Sequence, residues 1–269
     1  MIRTFAALGL LGLLTMSPPL AYAAADTGDR LSAIKELVAA AKWRPLGKGI
    51  EELVVKDAQT ANLHVYRLPQ AAVKMRVLEQ SSPTGSAAED VGKAAKVALA
   101  INGGFWWIKD DGSIAPNGLL VVDGQKRAPS KRCSVCGGVL YADKTGLHLE
   151  RSGPAVPGKG IEAALQSGPV LVAPGGKIGI RKPGGPEAGR SAVCLAGDSI
   201  YVFAIFNSLT MQETAQLLAA PAAEGGFGCE RAVNLDGGTS TQVYVGLAGH
   251  EASIGFPRPV QNFVAFFLK

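Results

Sequence analysis

Beyond residue 50 the apolar residues of this chain come in short runs, each closed by Gly, Pro, Asn or Asp. A helix usually needs a periodic stretch of about ten residues or more, whereas a strand is complete in roughly five or six. The rhythm therefore predicts strands at Glu51–Lys56, Leu63–Leu68 and Val73–Leu78, and polar and apolar residues alternate in the last two, as on half-buried antiparallel strands. Val97–Ile101 is apolar throughout and reads as a buried strand. Further strands are expected at Leu119–Val122, Gly138–Tyr141, Leu147–Glu150, Val170–Ala173, Ala192–Leu195, Ile200–Phe206, Ala232–Leu235, Thr241–Val245 and Phe263–Leu268. Three helices interrupt them. Asp29–Lys42 carries Leu31, Ile34, Leu37, Val38 and Ala41 at helical spacing, Ser86–Lys96 is Ala-rich, and Thr210 with Glu213 forms a capping box for a helix ending near Ala220, before Pro221. The joints Ser152–Gly160 and Pro183–Gly189 are too short to separate domains. The expected fold is α+β: a single domain, with a mixed, mostly antiparallel β-sheet core and flanking helices. It spans 51–269 after a helical lead-in over 24–50.

Composition narrows the function classes. Lys and Arg exceed Asp and Glu by five, 27 against 22, and the excess is scattered rather than gathered into a basic stripe. RNP, C2H2 and basic-zipper patterns are absent, so no nucleic-acid partner is expected. Residues 1–23 read as a signal peptide: a basic start at Arg3, an apolar stretch Phe5–Met16, Pro18-Pro19, then Ala21-Tyr22-Ala23. Cleavage as late as Ala25 fits equally well. The apolar stretch is shorter than the roughly 20 residues of a membrane span. A soluble periplasmic or secreted protein is expected, with no integral membrane contact once the signal is removed. Export permits disulfides. Four cysteines allow three pairings, of which Cys133–Cys136 with Cys194–Cys229 is favoured. A redox role for Cys133-x-x-Cys136 is the competing reading, but Gly137-Gly138 follows instead of a helix. His64, His148 and His250 stand at no metal-ligand spacing, and no metal or cofactor is expected.

Thirty-four of the 269 residues are glycine, a residue used where the backbone takes positive φ or comes close to another group. Three glycine clusters sit at strand ends beside polar side chains. Asn102-Gly103-Gly104 leaves a buried strand, and adjacent glycines there can form either a tight turn or a nest of N–H groups for an anion. Gln166-Ser167-Gly168-Pro169 breaks an apolar pattern, and polar side chains on a buried strand need partners. Asn234-Leu235-Asp236-Gly237-Gly238-Thr239-Ser240 puts a carboxylate at a strand end, where sites collect in mixed folds. Familiar devices are missing: no G-x-S-x-G elbow, no H-E-x-x-H, and no phosphate-binding loop in the required context.

Taken in order, Asn102-Gly103-Gly104-Phe105, Pro116-x-Gly118-Leu119, Gln166-Ser167-Gly168-Pro169, Arg190 before a strand, and Leu235-Asp236-Gly237-Gly238-x-Ser240 resemble the phosphodiester glycosidase family. The resemblance covers roughly Val54 to Lys269. The Gln-Ser-Gly-Pro form and Cys229 ahead of the Leu-Asp-Gly-Gly motif look most like its exported bacterial branch. Where many members carry Asp-Gly-Arg, this chain has Phe206-Asn207-Ser208. The resemblance implies hydrolysis of a sugar-1-phosphodiester, whose phosphate-ester leaving group needs less acid assistance than an ordinary glycoside does. It implies catalytic roles for Asp236, as base or nucleophile, and for Arg190, suited to bidentate phosphate binding. Asn102, Ser167 and Asn234 are then candidates for holding sugar hydroxyls. Gly103, Gly104, Gly237 and Gly238 are candidate donors, and Gln166, Gly168 and Ser240 complete the substrate site. Asp236 could instead hold a divalent cation with Asn and carbonyl oxygens. The expected partner is a sugar-phosphate or glycan. The alternative function is a non-catalytic carbohydrate- or envelope-binding protein on the same frame.

Overall fold

The computed structural model describes residues 27–57, 61–80, 84–153, 156 and 158–269; the signal segment predicted over residues 1–23 lies outside them. Every strand pairing among the described residues is antiparallel. The largest sheet has eight strands in the order β1 (Arg44–Gly47), β2 (Ile50–Asp57), β3 (Ala61–Pro69), β16 (Ser199–Leu209), β15 (Ala188–Ala196), β17 (Arg231–Asn234), β13 (Val170–Ala173) and β14 (Lys177–Ile178). A second sheet runs β11 (Gly146–Arg151), β10 (Gly138–Asp143), β12 (Ala163–Ser167), β8 (Leu120–Val122), β9 (Gln125–Ala128). The third is β19 (Ala252–Gly255), β18 (Gln242–Val245), β5 (Leu99–Asn102), β20 (Asn262–Leu268), β4 (Val73–Glu79), and a small ribbon pairs β6 (Trp106–Ile108) with β7 (Ile114–Pro116). Helices α1 (Thr27–Ala40), α2 (Ala88–Ala95) and α3 (Met211–Ala219) flank the sheets. This is the α+β domain, antiparallel at its core, that the strand rhythm predicts.

Alternation along the strands decides which layer each side chain joins. On β15 and β16, Ala192, Cys194, Phe203 and Ile205 face a core shared with Ile34 and Val38 of α1 and Leu217 and Leu218 of α3. Their neighbours Val193, Leu195, Val202 and Ala204 face the other way. There they meet Leu120, Leu140 and Leu165 of the second sheet and Met75, Ile101 and Phe266 of the third. The eight-stranded sheet is thus covered by helices on one face and by the two smaller sheets on the other. The capping box of α3 forms as expected: Glu213 N donates to Thr210 Oγ1 at 3.1 Å and Thr210 N to the Glu213 carboxylate at 2.8 Å. Both favoured disulfides are present, Cys133–Cys136 in a loop and Cys194–Cys229 inside the helix-side core.

One stretch folds differently from its expected pattern. Ala163 to Ala173 contains two strands in two sheets, β12 and β13, joined at Gly168 and a cis Pro169. The polar pair Gln166-Ser167 marks the crossing from one sheet to the other. The short strands β1, β7, β9, β14 and β19 have little buried apolar surface and leave no apolar run in the sequence, whereas β6 lies in the apolar run Phe105–Ile108 with Trp107 and Ile108 exposed.

Candidate active site

The three sheets meet at the ends of β5, β12 and β17, and the three glycine clusters meet with them. Asn102, fully buried at the end of β5, donates from Nδ2 to the carbonyl of Asp236 at 2.6 Å. Its Oδ1 accepts from Ser191 Oγ at 2.7 Å and from the backbone N of Gln242 at 3.2 Å. Asp236 N in turn donates to Gly103 O at 3.0 Å. The Asn102-Gly103 corner therefore grips the backbone of Asp236 from both sides. From the second sheet, Gly104 lies against Gln166 O, and Asn234 Nδ2 reaches Gly168 O at 3.1 Å. These direct contacts bring Asn102, Gly103, Gly104, Gln166, Gly168, Asn234 and Asp236 to one place.

Glycine is required here mainly by close approach. A Cβ on Gly103 would lie 1.9 Å from Asn262 Oδ1, and one on Gly237 would lie 2.6 Å from Gly189 O. Gly238 adds a positive φ of 60° at the turn that carries Thr239 and Ser240. The turn leaves the half-buried Asp236 carboxylate accepting from Gly237 N at 2.9 Å, with the Ser240 hydroxyl beside it. Burial pushes the Asp236 carboxyl above its ordinary range, against the pull of Ser240, Gly237 and the charge of Arg258. A half-buried carboxylate whose pKa burial raises is a candidate for proton transfer.

Several residues stand otherwise than the sequence reading has them. The N–H groups of Gly103 and Gly104 end on Asn262, at O (2.8 Å) and Oδ1 (2.8 Å), so they form no anion nest. Gln166 is a bracket: Oε1 accepts from Leu119 N and Lys131 N, and Nε2 donates to Lys131 O, Cys136 O and Ser152 Oγ, which pins the disulfide loop. Arg190 lies on the face of β15 opposite Ser191. Its Nε donates to Leu209 O at 3.0 Å and its Nη2 to Pro186 O at 2.6 Å, and burial lowers its pKa. The fork expected to hold phosphate in two-pronged fashion is occupied by backbone carbonyls. Ser167 Oγ and Asn234 Oδ1, by contrast, are buried with no hydrogen-bond partner among the described residues.

Sequence reasoning missed Ser191, Gln242, Asn262 and Arg258. Gln261-Asn262 opens an apolar strand with a polar pair, the same signal that Gln166-Ser167 gives at the end of β12. Arg258, in contrast, sits among prolines with nothing to mark it. No group of three or more His, Cys, Asp or Glu is gathered for a metal among the described residues, and no described helix is long and apolar enough to cross a membrane. A cavity of about 480 Å³ lined by Lys74, Asp143, Glu162 and Lys269 touches none of the site residues.

An antiparallel three-sheet frame thus holds a strand-end carboxylate clamped by an Asn-Gly-Gly corner. Residues 95–267 match the phosphodiester glycosidase family, and the chain belongs to it. Among solved structures it is similar to the catalytic domain of zebrafish N-acetylglucosamine-1-phosphodiester alpha-N-acetylglucosaminidase, auto-inhibited by its pro-peptide. That match has a TM-score of 0.59 at 17% identity, over 84% of this chain and 85% of that one. A hypothetical protein from Synechocystis matches with TM-score 0.57 at 14% identity, over 85% of this chain but only 64% of the longer Synechocystis chain. A Burkholderia pseudomallei protein described as exported matches with TM-score 0.55 at 14% identity, over 77% and 74%. At these identities the likeness shows a shared fold. No curated protein matches the chain.

Proposed function

We propose that this chain is an exported hydrolase that cleaves a sugar-1-phosphodiester, with Asp236 as its reactive carboxylate. The observation that carries the reading is the clamping of Asp236. Its N–H and C=O are both held by the Asn102-Gly103 corner, which fixes a carboxylate raised toward protonation by burial within a domain of the phosphodiester glycosidase family. Water adds to the anomeric carbon and gives its proton to Asp236, while the C1–O bond breaks and its electron pair leaves on the phosphate monoester. Two disulfides suit a periplasmic or secreted location, and the partner is a sugar-phosphate or phosphoglycan.

A binding protein without catalysis is the second reading, favoured by the commitment of Arg190 to carbonyls. The test is sugar release from a panel of UDP-sugars and other sugar-1-phosphodiesters. Hydrolysis expected of the wild type should fall at least a hundredfold in Asp236→Asn, since proton transfer by a placed group contributes about 10²–10⁴. A wild type that binds glycans and releases no sugar overturns the hydrolase.

A further inference from the structure

Two arginines approach the Asp236 turn, and they differ in what they have left to give. Arg190 is buried, with two donors fixed on Leu209 O and Pro186 O. Arg258 is exposed on the other side of the turn. Its backbone is anchored: Gln242, itself buried, donates from Nε2 to Arg258 O at 2.6 Å, and Arg258 N donates to Phe256 O at 2.7 Å. Its side chain reaches Thr239, where Nη1 donates to Thr239 Oγ1 at 2.9 Å. The remaining donors of the guanidinium have no partner among the described residues. One donor fixed and the rest open is the arrangement a two-pronged grip on an oxyanion requires.

We propose that Arg258, rather than Arg190, receives the phosphate group of the substrate and makes the site selective for anionic phosphodiesters over neutral glycosides. The anomeric carbon then sits at Asp236 and the departing phosphate lies toward Thr239 and Arg258, so the cation meets the charge that develops on the leaving oxygen. The link between the two groups is the turn itself, since Arg258 is hydrogen-bonded to Thr239, three residues after Asp236, and the charge of Arg258 pulls the Asp236 pKa down against burial. This inference rests on the hydrolase reading for its reaction but not for its binding site.

The experiment uses the full chain with Arg258→Ala and Arg258→Lys. Kinetics with UDP-N-acetylglucosamine and with the 4-nitrophenyl glycoside of the same sugar are paired with a titration of inorganic phosphate followed by calorimetry. Arg258→Ala should raise KM for the phosphodiester and weaken phosphate binding by roughly tenfold or more, the loss of about one good ionic contact. KM for the neutral glycoside should rise much less than KM for the phosphodiester, and Arg258→Lys should recover part of the loss. Unchanged KM and phosphate affinity in Arg258→Ala overturn the proposal. Should the wild type release no sugar, the hydrolase reading fails. The phosphate titration then still decides Arg258: weakened binding upholds it and equal binding overturns it.

Discussion

Asn102→Ala separates a clamp from a sugar ligand. The side chain is fully buried and makes three hydrogen bonds, to Asp236 O, from Ser191 Oγ and from Gln242 N. Truncation leaves two backbone groups without partners, while Ser191 retains Thr241 Oγ1 at 3.2 Å. A buried polar group left unsatisfied costs about 1–3 kcal/mol, so the substitution should destabilise the fold by roughly 4 kcal/mol in all. In a domain of this size that corresponds to a fall of about 8–16 °C in Tm. Urea titration followed by circular dichroism should show a lower midpoint at an unchanged m-value. A double-mutant cycle with Ser191→Ala should return a coupling of about 1 kcal/mol, as for residues in one network. A loss below about 1 kcal/mol together with a raised KM would refute the reasoning and return Asn102 to the substrate.

Other consequences are equally direct. Arg190→Ala strands the buried Leu209 O, while the exposed Pro186 O can turn to water, and should cost about 1–3 kcal/mol of stability, read as a lower Tm before any change in KM is sought. Asp236→Asn should raise Tm at neutral pH. Burial raises the folded-state pKa of Asp236, so its ionisation destabilises the fold as pH rises from the unfolded value through the folded one. The gain should vanish below pH 3.8, the ordinary value, and melting both proteins across that range checks the sign. Replacing Cys194 and Cys229 by Ala, which opens a loop with a sequence separation of 35, should cost about 4 kcal/mol on chain entropy. The same change at Cys133 and Cys136, three residues apart, should cost much less. A thermal melt of the two double variants gives the comparison.

The fold was readable wherever burial forces a pattern. Ala192–Leu195 and Ile200–Phe206 announce themselves because alternate residues face two different cores, and α3 does because Thr210 and Glu213 cap it. Gln125–Ala128 carries three exposed residues, so its ladder is written in backbone hydrogen bonds and not in side chains. The site was legible as a place and less so as a set of roles. Asn102, Gly103 and Asp236 were visible as polar and glycine residues at strand ends, yet the sequence does not say which way a polar atom turns. Asn102 and Gln166 turn inward to hold backbone. Arg190 belongs to the helix-side face because it is one residue from Ser191, a parity the run Ala188–Ala196 contains but that has meaning only once its start is known.

Strand β20 lies between β5 and β4, and its Asn262 also receives the N–H groups of both Gly103 and Gly104. On the ribosome, β4 and β5 emerge long before either has a neighbour to pair with. At roughly 5–20 residues per second, the interval of about 160 residues between Asn102 and Asn262 takes on the order of 10–30 s. For that time Met75, Val77, Leu99 and Ile101 are nascent apolar edges, open to any strand that meets them. A chain built this way completes its carboxylate clamp only after residue 262 has been made.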